Sequence, residues 1–268
     1  MNLRVWGTRG GLPVPGAATT VFGGNTSCIE VRCGAHVLIL DAGSGLRGLG
    51  QTLRPPFVAD LLLTHTHLDH VCGLPFFAPM FQSGAKVKLW GGHLPRQQLL
   101  EALTSMLSPP LMPDLLGALP APLHLQHFHP GARLTPKPGV IVETAPLNHP
   151  GGAIGYRVSA DGKTLAYVTD TEHPATGFDR NAVELAKGAG VMIYDAYFDA
   201  ADYPRHVGWG HSTWQHGVEL AAHAGVGKLV LFHHNINYDD SRLARIEEAA
   251  DRLRPGTVVA REGLCLTL

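Results

Sequence analysis

Apolar residues in the first third of the chain fall in short runs separated by glycine-rich turns. Leu3–Trp6 predicts a short strand, and residues 7–16 predict a loop whose turns are set by Gly and Pro. Ser27–Arg32 and His36–Leu40 predict two apolar strands joined by a hairpin at Cys33–Gly34–Ala35. Helical spacing over Leu46–Leu53 follows. A short buried strand at Asp60–Leu63 then runs into Thr64–His65–Thr66–His67–Leu68–Asp69–His70. Lys86–Trp90 predicts another strand, with a helix continuing to about Ser105.

In the second half, strands at Val140–Leu147, Gly155–Val158, Thr164–Thr169, Val191–Asp195 and Lys228–Phe232 alternate with helices at Asn181–Ala189, Thr213–Ala224 and Asp239–Leu253. The last helix is amphipathic, with Leu243, Ile246, Ala250 and Leu253 on one face. No short-period repeat is visible. Each half carries strands and helices, which suits two packed sheets covered outside by helices. Residues 108–139 break this pattern with Ser108–Pro109–Pro110 and Leu119–Pro120–Ala121–Pro122. They predict an irregular excursion or lid within a single domain spanning 1–268.

Composition narrows the function. Of 268 residues, 45% are hydrophobic and 16% charged, which excludes a disordered chain. Lys and Arg number 21 against 22 Asp and Glu, so the chain lacks the basic surplus that gripping long nucleic acid requires. A small phosphorylated ligand is not excluded. The longest apolar runs, such as Val37–Leu40 and Leu61–Leu63, are far below the ~20 residues of a membrane span. The start has no apolar run of signal-peptide length. Four cysteines are too few for a disulfide scaffold and read as small buried hydrophobes in a reducing compartment, with Cys72, beside the histidines, the partial exception. A cytoplasmic protein without membrane contact is expected. The unusual number is that of histidine, 16.

Residues 65–70 concentrate the chemistry. Alternate residues of an extended segment share a face, so His65, His67 and Asp69 point together, and His70 can turn back toward them from the next helix. Three imidazoles and a carboxylate in six residues suit a divalent metal, above all zinc. So many polar groups at a strand end are hard to satisfy without an ion.

The His-x-His-x-Asp-His pattern of residues 65–70, following a buried strand, resembles the signature of the metallo-β-lactamase superfamily, and the resemblance extends along nearly the whole chain. It implies an α/β fold, a four-layer αββα sandwich with two metals at one edge. It also implies His149, in Leu147–Asn148–His149, as the next ligand and Asp170, in Thr169–Asp170–Thr171, as a bridge between the metals. The last ligand is His233 or His234; His233 directly follows its strand and is taken here. His65, His67 and His149 would then hold the first metal, and Asp69, His70 and His233 the second. Asp41, ending its strand in Asp41–Ala42–Gly43, matches a position that braces the histidine loop. The redox branch of the superfamily usually has a glutamate where His67 stands. The resemblance therefore implies two divalent ions in a hydrolase, zinc first, with manganese or iron as alternatives.

Within the superfamily, three segments resemble the phosphodiesterase branch that includes ribonuclease Z: Gly7–Gly10 with Gly24–Ser27, Tyr194–Phe198, and Gly210–Thr213. By that resemblance, Asp195 orients His211, which protonates the leaving oxygen after attack by a metal-bridging hydroxide; Asp69 joins these two as a catalytic residue. Asp195 stands where the branch has a longer glutamate. The ribonuclease arm that grips transfer RNA is basic, whereas residues 108–139 carry only Arg133 and Lys137 as bases. A small phosphodiester, such as a cyclic nucleotide or cyclic ribose phosphate, is therefore expected as substrate, without long nucleic acid, and a homodimer by analogy with the branch. The alternatives are an acyl hydrolase (lactonase, β-lactamase or thioesterase), an RNA-processing endonuclease, and a non-catalytic sensor or accessory protein. Trp209 and Trp214 flank His211 as stacking or core residues. His173 and His206 are ambiguous, and His124, His127 and His129 suggest a strand or lid edge.

Overall fold

The computed structural model describes residues 1–120 and 123–268. Among them, two seven-stranded sheets lie face to face. The first contains β1 (Asn2–Gly7), β2 (Cys28–Cys33), β3 (His36–Leu40), β4 (Phe57–Leu62), β5 (Ala85–Gly91), β6 (His124–His127) and the C-terminal β14 (Cys265–Thr267), in the order β14-β1-β2-β3-β4-β5-β6. The second runs in sequence from β7 (Arg133–Lys137) through β8 (Val140–Leu147), β9 (Ala153–Ala160), β10 (Lys163–Val168), β11 (Val191–Asp195) and β12 (Lys228–Phe232) to β13 (Val258–Val259). Both share one pattern from that end, three antiparallel pairings followed by three parallel ones. The two halves of the chain thus repeat a topology that their sequences do not display.

Three apolar layers hold the sandwich together. Val31, Leu38 and Leu40 of the first sheet meet Tyr156, Tyr167 and Phe232 of the second in the central layer. Outside the first sheet, Ile39 and Leu61 pack against helices α1 (Leu46–Gly50), α2 (Leu68–Val71) and α3 (Arg96–Ser105). Outside the second, Met192 and Leu229 pack against α4 (Arg180–Ala186), α5 (Trp214–His223) and α6 (Asp240–Leu253). The inner strand β3 is buried at every position, as expected for a strand covered on both faces. The outer three helices on the second sheet begin at Asp179, Thr213 and Asp239, whose side chains each accept a backbone N–H of the first turn. The architecture is the expected αββα sandwich.

Several expectations need correction. Residues 108–139 are not wholly irregular: β6 extends the first sheet beside β5, and β7 pairs with β8. Proline hid both, though Pro136 sits where the β7–β8 register shifts. Ala121 and Pro122 lie outside the described residues. Leu253 is 66% exposed, so the buried face of α6 is Leu243, Ile246 and Ala250. Cys265 is exposed on the edge strand β14. Among the described residues no helix is long and apolar enough to cross a membrane.

Candidate metal centre

In open α/β sheets, ligand-binding loops leave the carboxyl ends of parallel strands. Here Asp41 follows β3, the segment His65–His70 follows β4, His149 follows β8, Asp170 follows β10, Asp195 ends β11 and His233 follows β12. The two sheets deliver these loops to one edge, where His70 Nε2 lies 3.1 Å from His233 Nε2 and His149 Nε2 lies 3.1 Å from His67 Nδ1. Asp41, Asp170 and His233 have φ of 62°, 56° and 60°, the left-handed region that costs a non-glycine residue about 1–3 kcal/mol. The only other such residue among those described, Asp161, sits in the β9–β10 turn. Backbone strain therefore gathers where the loops must aim side chains at a common point.

Among the described residues the candidate ligand atoms gather in four overlapping groups: two contain Asp170, one with His65 and His70 and one with Asp195, His211 and His233, and two do not. Of the latter, His65, His67 and His149 form one, and Asp69, His70 and His233 the other, with the atoms of each within 4.8 Å of one another. Asp170 stands between them. Its Oδ1 faces His65 Nε2 at 3.8 Å and His149 Nε2 at 3.9 Å, while its Oδ2 faces His70 Nε2 at 3.2 Å and His233 Nε2 at 3.4 Å. His234 points elsewhere: its Nε2 bonds the Ala260 carbonyl at 2.8 Å, and burial lowers its pKa to about 3.

Outer partners set the imidazole tautomers. A carboxylate or carbonyl oxygen can only accept, so the ring nitrogen facing it must donate. His70 Nδ1 donates to Asp41 Oδ2 at 2.9 Å, and His149 Nδ1 donates to the Gly210 carbonyl at 2.8 Å. The Thr64 hydroxyl donates to Asp41, so its oxygen accepts from His65 Nδ1 at 3.0 Å. Each arrangement leaves a bare Nε2 for the centre. Among the described residues nothing hydrogen-bonds His65 Nε2, although it is buried. Facing lone pairs and an orphaned buried nitrogen are unfavourable by themselves and fit divalent cations. The charges agree. Against the penalty of burial, nearby histidines hold Asp170 and Asp69 far below the usual carboxylate range. Burial also opposes charge on His70, but Asp170, Asp69 and Asp41 outweigh it and raise its pKa.

His211 stands beside this cluster. Its Nδ1 donates to Asp195 Oδ2 at 2.9 Å, so the shorter carboxylate still reaches. Asp195 is wholly buried and also accepts N–H groups from Thr171, Tyr197 and Ser212 at 3.3, 3.1 and 3.2 Å. Burial disfavours charge on His211, yet Asp195, then Asp170 and Asp69, raise its pKa. Thr213, not His211, caps α5. Of the flanking tryptophans, Trp214 is buried in the core and Trp209 is 59% exposed. His173 bonds Ser212 Oγ at 2.9 Å instead of entering the cluster, and His206 stacks on Phe198.

Sequence reading missed several supports. Gly11 N–H donates to Asp69 Oδ2 at 2.7 Å, and the preceding Gly10 lets the loop approach: a Cβ there would lie 2.4 Å from the His233 ring. Glu172 accepts the N–H groups of Gly208 and Gly210 and the Tyr203 hydroxyl, fixing the loop whose Gly210 carbonyl orients His149. Arg9 is fully buried and bonds the carbonyls of Gly23 and Asn235, tying the N-terminal loop to the segment after His233. These act through backbone groups, so residue type and spacing carry little signal of them.

Asp41 is the most heavily used support. It accepts from Thr64 N–H at 2.8 Å, from the Thr64 and Tyr167 hydroxyls at 3.0 and 2.9 Å, and from His70. Asp41→Ala strands these buried donors and is expected to cost about 3–5 kcal/mol. Urea unfolding of the metal-free protein measures this; a loss below about 1 kcal/mol contradicts it.

Residues 36–234 match the family described as Beta-lactamase superfamily domain. Ribonuclease Z of Parabacteroides distasonis is 28% identical over 144 residues, 54% of this chain and 42% of that protein. Ribonuclease BN of Cronobacter sakazakii is 24% identical over 318 aligned positions that cover 100% of both. The chain thus spans under half of the first relative's length and all of the second's. Two solved structures share the fold: the metallo-beta-lactamase fold protein YhfI from Bacillus subtilis, with a TM-score of 0.75 at 18% identity over 99% of both chains, and Zn(2+)-bound PqqB from Methylobacterium extorquens, with 0.74 at 20% identity over 100% of both. With its sandwich, its His/Asp cluster and a family match across most of its length, the chain belongs to the metallo-β-lactamase superfamily.

Proposed function

We propose that this chain is a metal-dependent hydrolase that cleaves phosphodiesters at a two-metal centre, in which His65, His67 and His149 would hold one ion, Asp69, His70 and His233 the other, and Asp170 would serve both. The observation that carries the reading is the Asp195–His211 pair set against a carboxylate whose two oxygens face separate histidine sets. When bound, two divalent ions supply an activated water and neutralise charge on the phosphoryl oxygens. Zinc is the choice, because five of these seven donors are imidazoles and the other two carboxylates. Asp195 keeps His211 in one tautomer, and His211 gives its proton to the departing alkoxide. Such a proton is what a phosphodiester with a poor leaving group needs and an activated acyl bond does not. This favours phosphodiesters over thioesters, whose thiolate departs unprotonated; a lactone or β-lactam shares the poor leaving group and is separated from a phosphodiester by direct turnover.

The substrate we assign is small, a cyclic nucleotide or cyclic ribose phosphate. The formal charge is −1, and Arg133 and Lys137, the bases of residues 108–139, belong to strand β7 beside Glu143, not to a projecting arm. With two divalent ions bound, the histidine edge of a near-neutral protein would be locally positive, which suits one small anion. Cleavage of RNA is the second reading, favoured by relatives named as ribonucleases. Turnover of 2′,3′- and 3′,5′-cyclic nucleotides, measured beside a precursor transfer RNA at physiological salt, separates the two. The small esters are expected to be cleaved and the RNA left intact; the reverse assigns the enzyme to RNA.

Trp209, exposed and two residues before His211, offers a face for a nucleobase, with His206 set edge-on against it at 4.8 Å. Trp209→Ala is expected to raise KM for cyclic nucleotides about tenfold, with the effect in KM and not in kcat. A KM unchanged in steady-state kinetics removes Trp209 from binding.

A further inference from the structure

The single bond from His211 Nδ1 to Asp195 secures one end of the imidazole and leaves its plane free to turn about that bond. A proton donor needs both. Four rings lie against His211 among the described residues. The His149 ring meets it at 59° and Phe198 at 65°, and His233 is tilted by 30°. Tyr197 alone among the described residues lies nearly parallel, with ring centroids 4.6 Å apart and an interplanar angle of 19°.

Tyr197 is itself held in register. Its N–H bonds Asp195 Oδ1 at 3.1 Å, the carboxylate whose other oxygen holds His211. On its C-terminal side, Phe198 N–H bonds the Ser212 carbonyl at 3.0 Å, and Trp214 N–H returns to the Phe198 carbonyl at 3.2 Å. The two strips that carry the tyrosine and the histidine are thus stitched together on both sides of the stack. A Cβ added to Gly11 would come within 3.6 Å of the Tyr197 hydroxyl, so the glycine loop backs the ring.

We infer that Tyr197 is a positioning residue for proton transfer, a flat aromatic support that fixes the His211 imidazole plane so that its Nε2 meets the leaving oxygen. The inference rests on the reading of His211 as proton donor. It adds a residue that acts through His211; because the Tyr197 ring also lies 5.8 Å from the His233 ring, metal content is read alongside turnover. The aromatic face also favours the charged imidazolium.

The test compares wild type, Tyr197→Leu, Tyr197→Phe and His211→Ala on two substrates. A 3′,5′-cyclic nucleotide releases a basic alkoxide and needs the proton; bis(p-nitrophenyl) phosphate releases a stable phenolate and does not. Tyr197→Leu fills the space without a flat face, and Tyr197→Ala serves if the leucine variant does not fold. The leucine variant is expected to lose about tenfold more kcat on the cyclic nucleotide than on the aryl ester, with two metal ions per chain retained. Tyr197→Phe is expected to recover most of that loss. Equal losses on both esters, or a phenylalanine variant as slow as the leucine one, overturn the inference. If His211→Ala shows no such preference, the proton-donor reading fails and takes Tyr197 with it. If His211→Ala discriminates and Tyr197→Leu does not, the inference about Tyr197 alone fails.

Discussion

Replacing His211 by alanine is expected to cut turnover of an alkyl phosphodiester by about 10²–10⁴-fold while two metal ions per chain remain bound. The size follows from losing general-acid help to an alkoxide, a leaving group too basic to depart unprotonated. Metal retention follows from geometry. The two proposed ligand sets do not include His211, whose Nδ1 is committed to Asp195. A different outcome has a defined meaning. Asp170, Asp195, His211 and His233 also bring ligand atoms within 4.8 Å of one another, so an ion lost together with activity would make His211 a ligand instead of an acid. Metal analysis by plasma mass spectrometry, run on the same protein used for kinetics, decides between them.

Asp170→Ala is expected to be more damaging, releasing at least one ion and lowering turnover by about 10³-fold or more, since several kcal/mol of charge stabilisation depend on the pair of ions. Asp170 is buried, held at positive φ, and supplies negative charge to both histidine sets. Without it, the imidazoles converge with only Asp69 among them and Asp41 behind His70 as counter-charge. Asp170→Asn keeps the shape and one acceptor oxygen but no charge, and should fall between wild type and alanine in metal retention. Full occupancy by two ions in the alanine variant would show that Asp170 does not bridge.

How far the sequence could be read depended on how locally each feature was encoded. The motif at 65–70 is compact, and strand alternation alone aims His65, His67 and Asp69 together. His149, Asp170 and His233 are far apart in the chain and became legible only through resemblance to a family. Choosing His233 over His234 rested on its place at the strand end, and in the structure His233 is the one that faces Asp69, at 3.2 Å. Glu172, Thr64 and Tyr197 were opaque because a carboxylate bonding backbone N–H groups, a shared hydroxyl, and a stacked ring leave no spacing pattern. Strands β6 and β7 were hidden by proline, and β13 and β14 are too short for periodicity to show. The matching topology of the two sheets left no sequence repeat, because it constrains pairing direction and not residue identity. The 16 histidines, an odd bias when first counted, resolve in part into one place: His65, His67, His70, His149, His211 and His233 meet at a single edge of the sandwich.

The central claim is a two-metal phosphodiesterase, and a metal titration tests it most directly. The metal-free protein is titrated with zinc while turnover of bis(p-nitrophenyl) phosphate and of a lactone is followed in parallel. Phosphodiester turnover is expected to climb until two equivalents are bound, and to exceed turnover of the lactone. Full activity at one equivalent, or a lactone cleaved faster than the phosphodiester, would contradict it.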